Sequence, residues 1–144
     1  MATVREILAR KGPEVVTAAP EGTVLEAAQL MNARGIGALP VMEEGSLVGI
    51  FTERDLMRRV VAEGLDPRST SVRQVMTAAP LTATVETSVD ECGALMTARR
   101  IRHLPVLGPA GLVGIVTIGD LLAFQLADQA ATIAQLNSYV YDVR

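Results

Sequence analysis

The chain repeats itself. Residues 14–60 align with residues 79–125 at an offset of 65 without a gap, and roughly 20 of the about 47 pairs are identical. The matches fall on apolar, turn and polar positions alike: Thr17 with Thr82, Glu26 with Glu91, Met31 with Met96, Pro40 with Pro105, Gly49 with Gly114, Thr52 with Thr117 and Asp55 with Asp120. Whatever one half folds into, the other must fold into as well. Each half reads as a β-α-β-β-α unit that cannot bury its own apolar face alone. The expected fold is therefore α+β: two units packed face to face about a pseudo-twofold axis, with two equivalent clefts between them.

Local signals set the expected elements. Val4 to Leu8 predicts a short helical turn, ended by Arg10-Lys11-Gly12-Pro13, and Val15 to Ala18 a short strand. Thr23 and Glu26 have capping-box spacing ahead of the apolar stripe Val24, Ala27, Ala28, Leu30 and Met31, so a helix runs to about Ala33 or Arg34 and stops at Gly35. Ala38–Met42 and Leu47–Phe51 read as a hairpin around Glu44-Gly45, and Thr52 opens a second helix through about Ala62. Arg68 to Ser71 reads as a linker, and Val72 to Met76 as another short turn. Leu81 to Val85 then starts the second half, Ser88 and Glu91 repeat the capping box, and Leu112 to Val116 repeats the second hairpin strand. Beyond Asp120, Leu121, Leu122, Phe124, Leu126, Ile133, Leu136 and Val140 predict a long helix interrupted near Asp128. The boundaries are a first repeat together with an N-terminal segment over 1–66, a second over 67–126 and a helical extension over 127–144.

Composition narrows the class. With two Tyr, two Phe and no Trp, the core must be built from Val, Leu, Ile, Ala and Met. A net charge of −3 without a long basic run argues against a nucleic-acid partner. One Cys, Cys92, rules out an internal disulfide framework and aligns with Ala27 as a small core residue. A single His leaves no His/Cys zinc cluster. No apolar run reaches membrane-spanning length and the first residues do not read as a signal peptide, so a cytoplasmic protein is expected.

The most specific element is Gly-hydrophobic-x-Thr-x-x-Asp, present as Gly49-Ile50-Phe51-Thr52-Glu53-Arg54-Asp55 and as Gly114-Ile115-Val116-Thr117-Ile118-Gly119-Asp120, each preceded by Leu-Pro-Val and a turn. From about Val4 to Leu126 the chain resembles a tandem pair of cystathionine-β-synthase (CBS) domains, a Bateman module, of the small stand-alone bacterial kind. The resemblance implies that Thr52, Asp55, Thr117 and Asp120 hold the ribose of an adenosine-containing ligand such as AMP, ADP, ATP or NAD. A carboxylate suits that role because it accepts two hydroxyl hydrogens in charge-assisted bonds. It further implies an adenine sandwich near Val16, Thr17, Leu81 and Thr82, flanked by Pro40 and Pro105, and phosphate contacts from Arg100, Arg102, His103 and Arg54. Where the second half carries Arg100, Arg102 and His103, the first has Gly35, Gly37 and Ala38, so asymmetric clefts are expected.

Plainer roles stand beside these. Thr52 with Asp55 is ordinary helix-capping chemistry, compatible with ribose binding, and the arginines at 99, 100 and 102 suit a helix C-terminus. Glu53 and Arg54 read as a solvated pair. The expected function is a regulatory sensor without catalysis or a catalytic cofactor, homodimeric, signalling to an unknown partner protein through repeat orientation or dimer state. The alternatives are a structural dimerisation module with vestigial clefts and an S-adenosylmethionine-binding module. No nucleophile–base pair, metal cluster or phosphate-cradling Gly loop points to an enzyme.

Overall fold

The computed structural model describes residues 1–142, so the last two residues of the extension lie outside the described residues. In chain order the elements are α1 (Val4–Lys11), α2 (Val24–Arg34), β1 (Ala38–Glu43), β2 (Ser46–Thr52), α3 (Glu53–Asp55) running into a π-helical segment (Leu56–Val61), α4 (Val72–Val75), β3 (Thr77–Ala78), β4 (Ala83–Thr84), α5 (Val89–Arg99), β5 (His103–Gly108), β6 (Gly111–Thr117) and α6 (Ile118–Asp142). Two three-stranded sheets form, β1-β2-β3 and β4-β5-β6.

The repeat is visible in the register. β1 and β2 pair antiparallel with Pro40 opposite Ile50, and β5 and β6 do so with Pro105 opposite Ile115. Both hairpins slip by one residue at the same place, after Val41 and after Val106. Glu44 and Gly45 both take positive φ at the first turn, the backbone that a tight hairpin between twisted strands requires. Ahead of each hairpin lies a capped helix: Thr23 completes its capping box with Glu26, and Ser88 accepts the Glu91 amide.

The short helices are exchanged between the halves. Val4 and Ile7 of α1, from the segment before the first repeat, are buried with Val89, Cys92, Met96, Leu104 and Val116 of the second. Val72, Val75 and Met76 of α4, ahead of the second repeat, are buried with Val24, Met31, Leu39, Val41 and Phe51 of the first. Backbone bonds sew both exchanges in the same way. The Val4 amide donates to the Thr87 carbonyl and Val89 to Ala2, while Val72 donates to Gly22 and Val24 to Thr70. Gly49 and Gly114 are equivalent glycines where a Cβ would stand within 2.5 Å of Met76 Sδ and 2.8 Å of Leu8 Cδ2. Each leaves room for an apolar side chain from an exchanged segment. A division at 66/67 therefore cuts the sequence but not the packing.

Several elements differ from the sequence reading. α1 runs to Lys11, one turn past Leu8, because its last turn lies on β6. Val15–Ala18 forms no strand; only Ala18 bridges, parallel, to Val41. The corresponding strand of the second half shrinks to Ala83–Thr84. β3, unforeseen in sequence, pairs with β2 through Gly49–Ala78 and Ile50–Thr77. The helix after Thr52 changes to π geometry at Leu56, whereas α6 passes Asp128 without interruption. Exposed Asp128 can point to solvent, so its charge costs the helix little.

Candidate functional site

The first cleft is built around the end of β2. Thr52 caps the helix that follows, accepting the Asp55 amide at 3.2 Å, while Asp55 Oδ2 accepts from the Thr52 amide at 3.0 Å and its hydroxyl at 3.2 Å. The other carboxylate oxygen, Oδ1, accepts from Thr77 Oγ1 at 3.3 Å and lies 3.7 Å from Arg59 Nε. Asp55 is 7% exposed, so its charge is held by this ring of donors rather than by bulk water. Beyond it opens a cavity of about 390 Å³, walled by Thr52–Asp55, Arg58, Arg59, Thr77, Ala79–Leu81 and, from the other repeat, Ile101–His103.

Positive charge gathers here. Arg54, Arg58, Arg59, Arg102 and His103 all line the cavity, against the carboxylates of Glu53 and Asp55. Arg54 donates to the Arg100 carbonyl at 2.8 Å, and Arg59 to the Met76 carbonyl at 2.9 Å, which fixes two of the guanidiniums in place. Burial holds the His103 imidazole below its ordinary pKa; Glu53 and Asp120 pull it up, and Lys11 and Arg102 push it down. His103 thus feels charges from both clefts. Gly37 permits the close approach of β1: a Cβ there would lie 2.1 Å from Glu53 Oε1 and 3.3 Å from His103 Nε2.

The second cleft has the same frame and different contents. Asp120 Oδ2 accepts from the Thr117 amide at 2.9 Å, and the Asp120 amide donates to Thr117 Oγ1 at 3.0 Å. The positions matching Arg54, Arg58 and Arg59 are Gly119, Ala123 and Phe124. Beside Asp120 lies a space of about 110 Å³, lined by Ile7, Arg10, Lys11, Asp120, Ala123 and Phe124.

Of the residues expected to bind ligand, Thr52, Asp55, Arg54, Leu81, Arg102 and His103 line one cavity. Arg102 and His103 face the Thr52–Asp55 pair, a pairing across the repeats that sequence left open. Arg100 contributes its carbonyl to Arg54, and its side chain is exposed. Pro40 and Pro105 are buried inside β1 and β5 and line neither space. Val16 packs on the first core, while Thr17 and Thr82 are exposed and line neither space. Thr117 and Asp120 form the second cleft's cap.

Arg58, Arg59 and Thr77 were missed, as was the place of Glu53 in the cavity wall. The arginines stand three and four residues after Asp55, a helical spacing that puts them on its side. Thr77 had no local signal, since it reaches Asp55 only through the pairing of β3. Burial pushes the Cys92 thiol pKa up, the direction of an inert core residue. Among the described residues no cluster of His, Cys, Asp and Glu is arranged to hold a metal ion, and no helix is long and apolar enough to cross a membrane.

The family model for the CBS domain matches the chain twice, over residues 4–62 and 72–127. The CBS domain-containing protein YhcV of Bacillus subtilis is 38% identical over 124 residues, 86% of this chain and 88% of its own length. The mitochondrial CBS domain-containing protein CBSX3 of Arabidopsis thaliana is 33% identical over 147 residues, covering 96% of this chain and 71% of that one. A solved structure of a putative signal-transduction protein with CBS domains from Burkholderia ambifaria superposes with a TM-score of 0.84 at 41% identity, over 89% of this chain and 96% of that one.

Proposed function

This chain belongs to the CBS-domain family, and from that membership we propose that it is a non-catalytic regulatory module that binds an adenine nucleotide in its first cleft. CBS pairs are in general regulatory modules for adenosine-containing ligands. The observation that carries the reading here is the meeting, in one 390 Å³ cavity, of Thr52 and Asp55 with the cations of the opposite repeat. Asp55 would accept the ribose hydroxyls, Leu81 would cover the base, and Arg102, Arg58, Arg54 and His103 would take the phosphates.

A ligand so held touches both repeats, so it favours the orientation in which Arg102 and Asp55 are closest. Signalling then follows as a population shift read by a partner protein. A second copy of the chain is the first candidate for such a reader. Met57 and Leu122 are equivalent by the repeat, as are Val61 and Leu126, and all four are exposed apolar residues. Self-association would bury them together in a homodimer, and a cytoplasmic location suits a nucleotide sensor.

The test is calorimetric titration of ligand-free protein with AMP, ATP, NADH and S-adenosylmethionine, repeated on Asp55→Ala and Asp120→Ala. Saturable binding that Asp55→Ala removes supports the nucleotide module and names its ligand class. Silence toward all four compounds would instead favour a purely structural dimerisation module.

A further inference from the structure

The two clefts differ most at the carboxylate. Asp55 Oδ1 accepts from Thr77 and has the Arg59 guanidinium no nearer than 3.7 Å, whereas Asp120 Oδ2 is met directly by an ammonium. Lys11 Nζ lies 2.8 Å from Asp120 Oδ2 and donates to the Ile115 carbonyl at 2.7 Å. The pair is sheltered, with side chains 32% and 21% exposed. Lys11 is also the chain's sole lysine, its other side-chain cations of that class being arginines. The residue reaches this place because α1 runs one turn longer than α4. Where α4 ends and β3 pairs with β2, the extra turn of α1 lies on the matching edge of β6, with Leu8 against Gly114 and the Arg10 guanidinium 5.4 Å from the centre of the Phe124 ring.

We propose that Lys11 is an intramolecular occupant of the second cleft, holding the Asp120 carboxylate so that the chain takes its nucleotide in the first cleft only. An ammonium with one carboxylate and one carbonyl partner fills the position that two ribose hydroxyls would need. Its attachment to α1 gives it a high local concentration that a free ligand must outcompete. Removing it leaves Asp120 facing a space lined by Arg10 but without counterparts of Arg54, Arg58 and Arg59. The opened cleft should therefore take an uncharged nucleoside at least as readily as a phosphorylated one. The assignment rests on the ribose role given to the Thr–Asp pairs.

Adenosine and AMP are the probes. Wild-type chain should bind AMP once, Asp55→Ala should bind it roughly 10- to 100-fold more weakly, and Asp55→Ala combined with Lys11→Met should gain saturable adenosine binding that Asp55→Ala alone lacks. Lys11→Gln in the same background guards against a local effect of methionine, and Lys11→Arg should keep the cleft closed. Wild-type binding of AMP with both double variants silent overturns the proposal. A second readout needs no nucleotide. Acetylation by an N-hydroxysuccinimide ester, followed peptide by peptide in a mass spectrometer, reports Lys11 alone. Its rate should rise several-fold in Asp120→Asn, and an unchanged rate overturns the proposal. If no chain binds either probe, the ribose reading fails while the acetylation rate still decides whether Asp120 holds Lys11.

Discussion

The two clefts begin from nearly the same sequence and end as different objects. Both present a Thr and an Asp in a reciprocal helix cap. One opens into about 390 Å³ lined by four arginines, and the other borders about 110 Å³ lined by Arg10 and Lys11. The frame is kept by what a repeat needs in order to fold: the hairpin register, the caps and the core. The contents are set by positions the frame leaves free, Arg58 against Ala123, Arg59 against Phe124 and Arg54 against Gly119. Duplication supplies two scaffolds, and the side chains at the positions the frame leaves free decide what charge and space each encloses.

That comparison can be broken first at the core, where the halves should behave alike. Leu39 and Leu104 are repeat-equivalent and fully buried. Leu39→Ala and Leu104→Ala should each cost about 2–5 kcal/mol in urea unfolding. A large gap between the two would mean that the repeats differ in their packing as well as in their clefts. Next comes the carboxylate. Asp55→Ala should weaken AMP binding by about 1.5–3 kcal/mol, the size of a charge-assisted hydrogen bond, whereas Asp120→Ala should leave the titration unchanged. Equal losses would make the clefts equivalent.

A smaller effect should come from His103, which has Ala38 as its counterpart. Burial lowers its pKa, so its neutral form is favoured in the free protein, and stability from this group is lost as pH falls through the lowered value. A phosphate bound beside it would raise that pKa, so binding should take up a proton. AMP affinity should then rise a few-fold between about pH 7.5 and 6, with the proton uptake read as a buffer-dependent binding enthalpy. His103→Gln should remove the buffer dependence. The smallest effect concerns the helix ends. Gly35 and Arg100 close α2 and α5 in the same left-handed conformation, φ 63° and 53°. Arg100→Gly should raise thermal stability by up to about 1 kcal/mol, since glycine adopts that backbone without a Cβ clash.

What the sequence made legible was whatever is decided within a few residues or by the repeat. The caps at Thr23 and Ser88, the Glu44-Gly45 turn and the two hairpins carry their reasons locally. The offset of 65 then implied the pairing of two units. What escaped depends on distant partners. Ala18 has only Val41 to bridge to, so the neighbouring apolar residues could not establish a strand. The last turn of α1 is stabilised by β6, and β3 exists only because β2 has a free edge. Within the site, Thr52, Asp55, Arg102 and His103 stood out, but that Arg102 meets Asp55 required the fold. Lys11 was read as part of a helix stop, and nothing within ten residues of it suggests Asp120.

The exchange of α1 and α4 bears on how the molecule is made. On the ribosome α1 emerges early, yet the surface that buries Val4 and Ile7 is complete only once Leu121 has been synthesised. The first repeat can close as soon as α4 follows it out, because its core needs nothing beyond Met76. The second must recruit a helix made before the whole of the first repeat, a contact of high sequence separation and thus a slow one. Folding should run in that order, with the half that caps its helix with Thr52 and Asp55 assembled before the half that carries the Lys11–Asp120 pair.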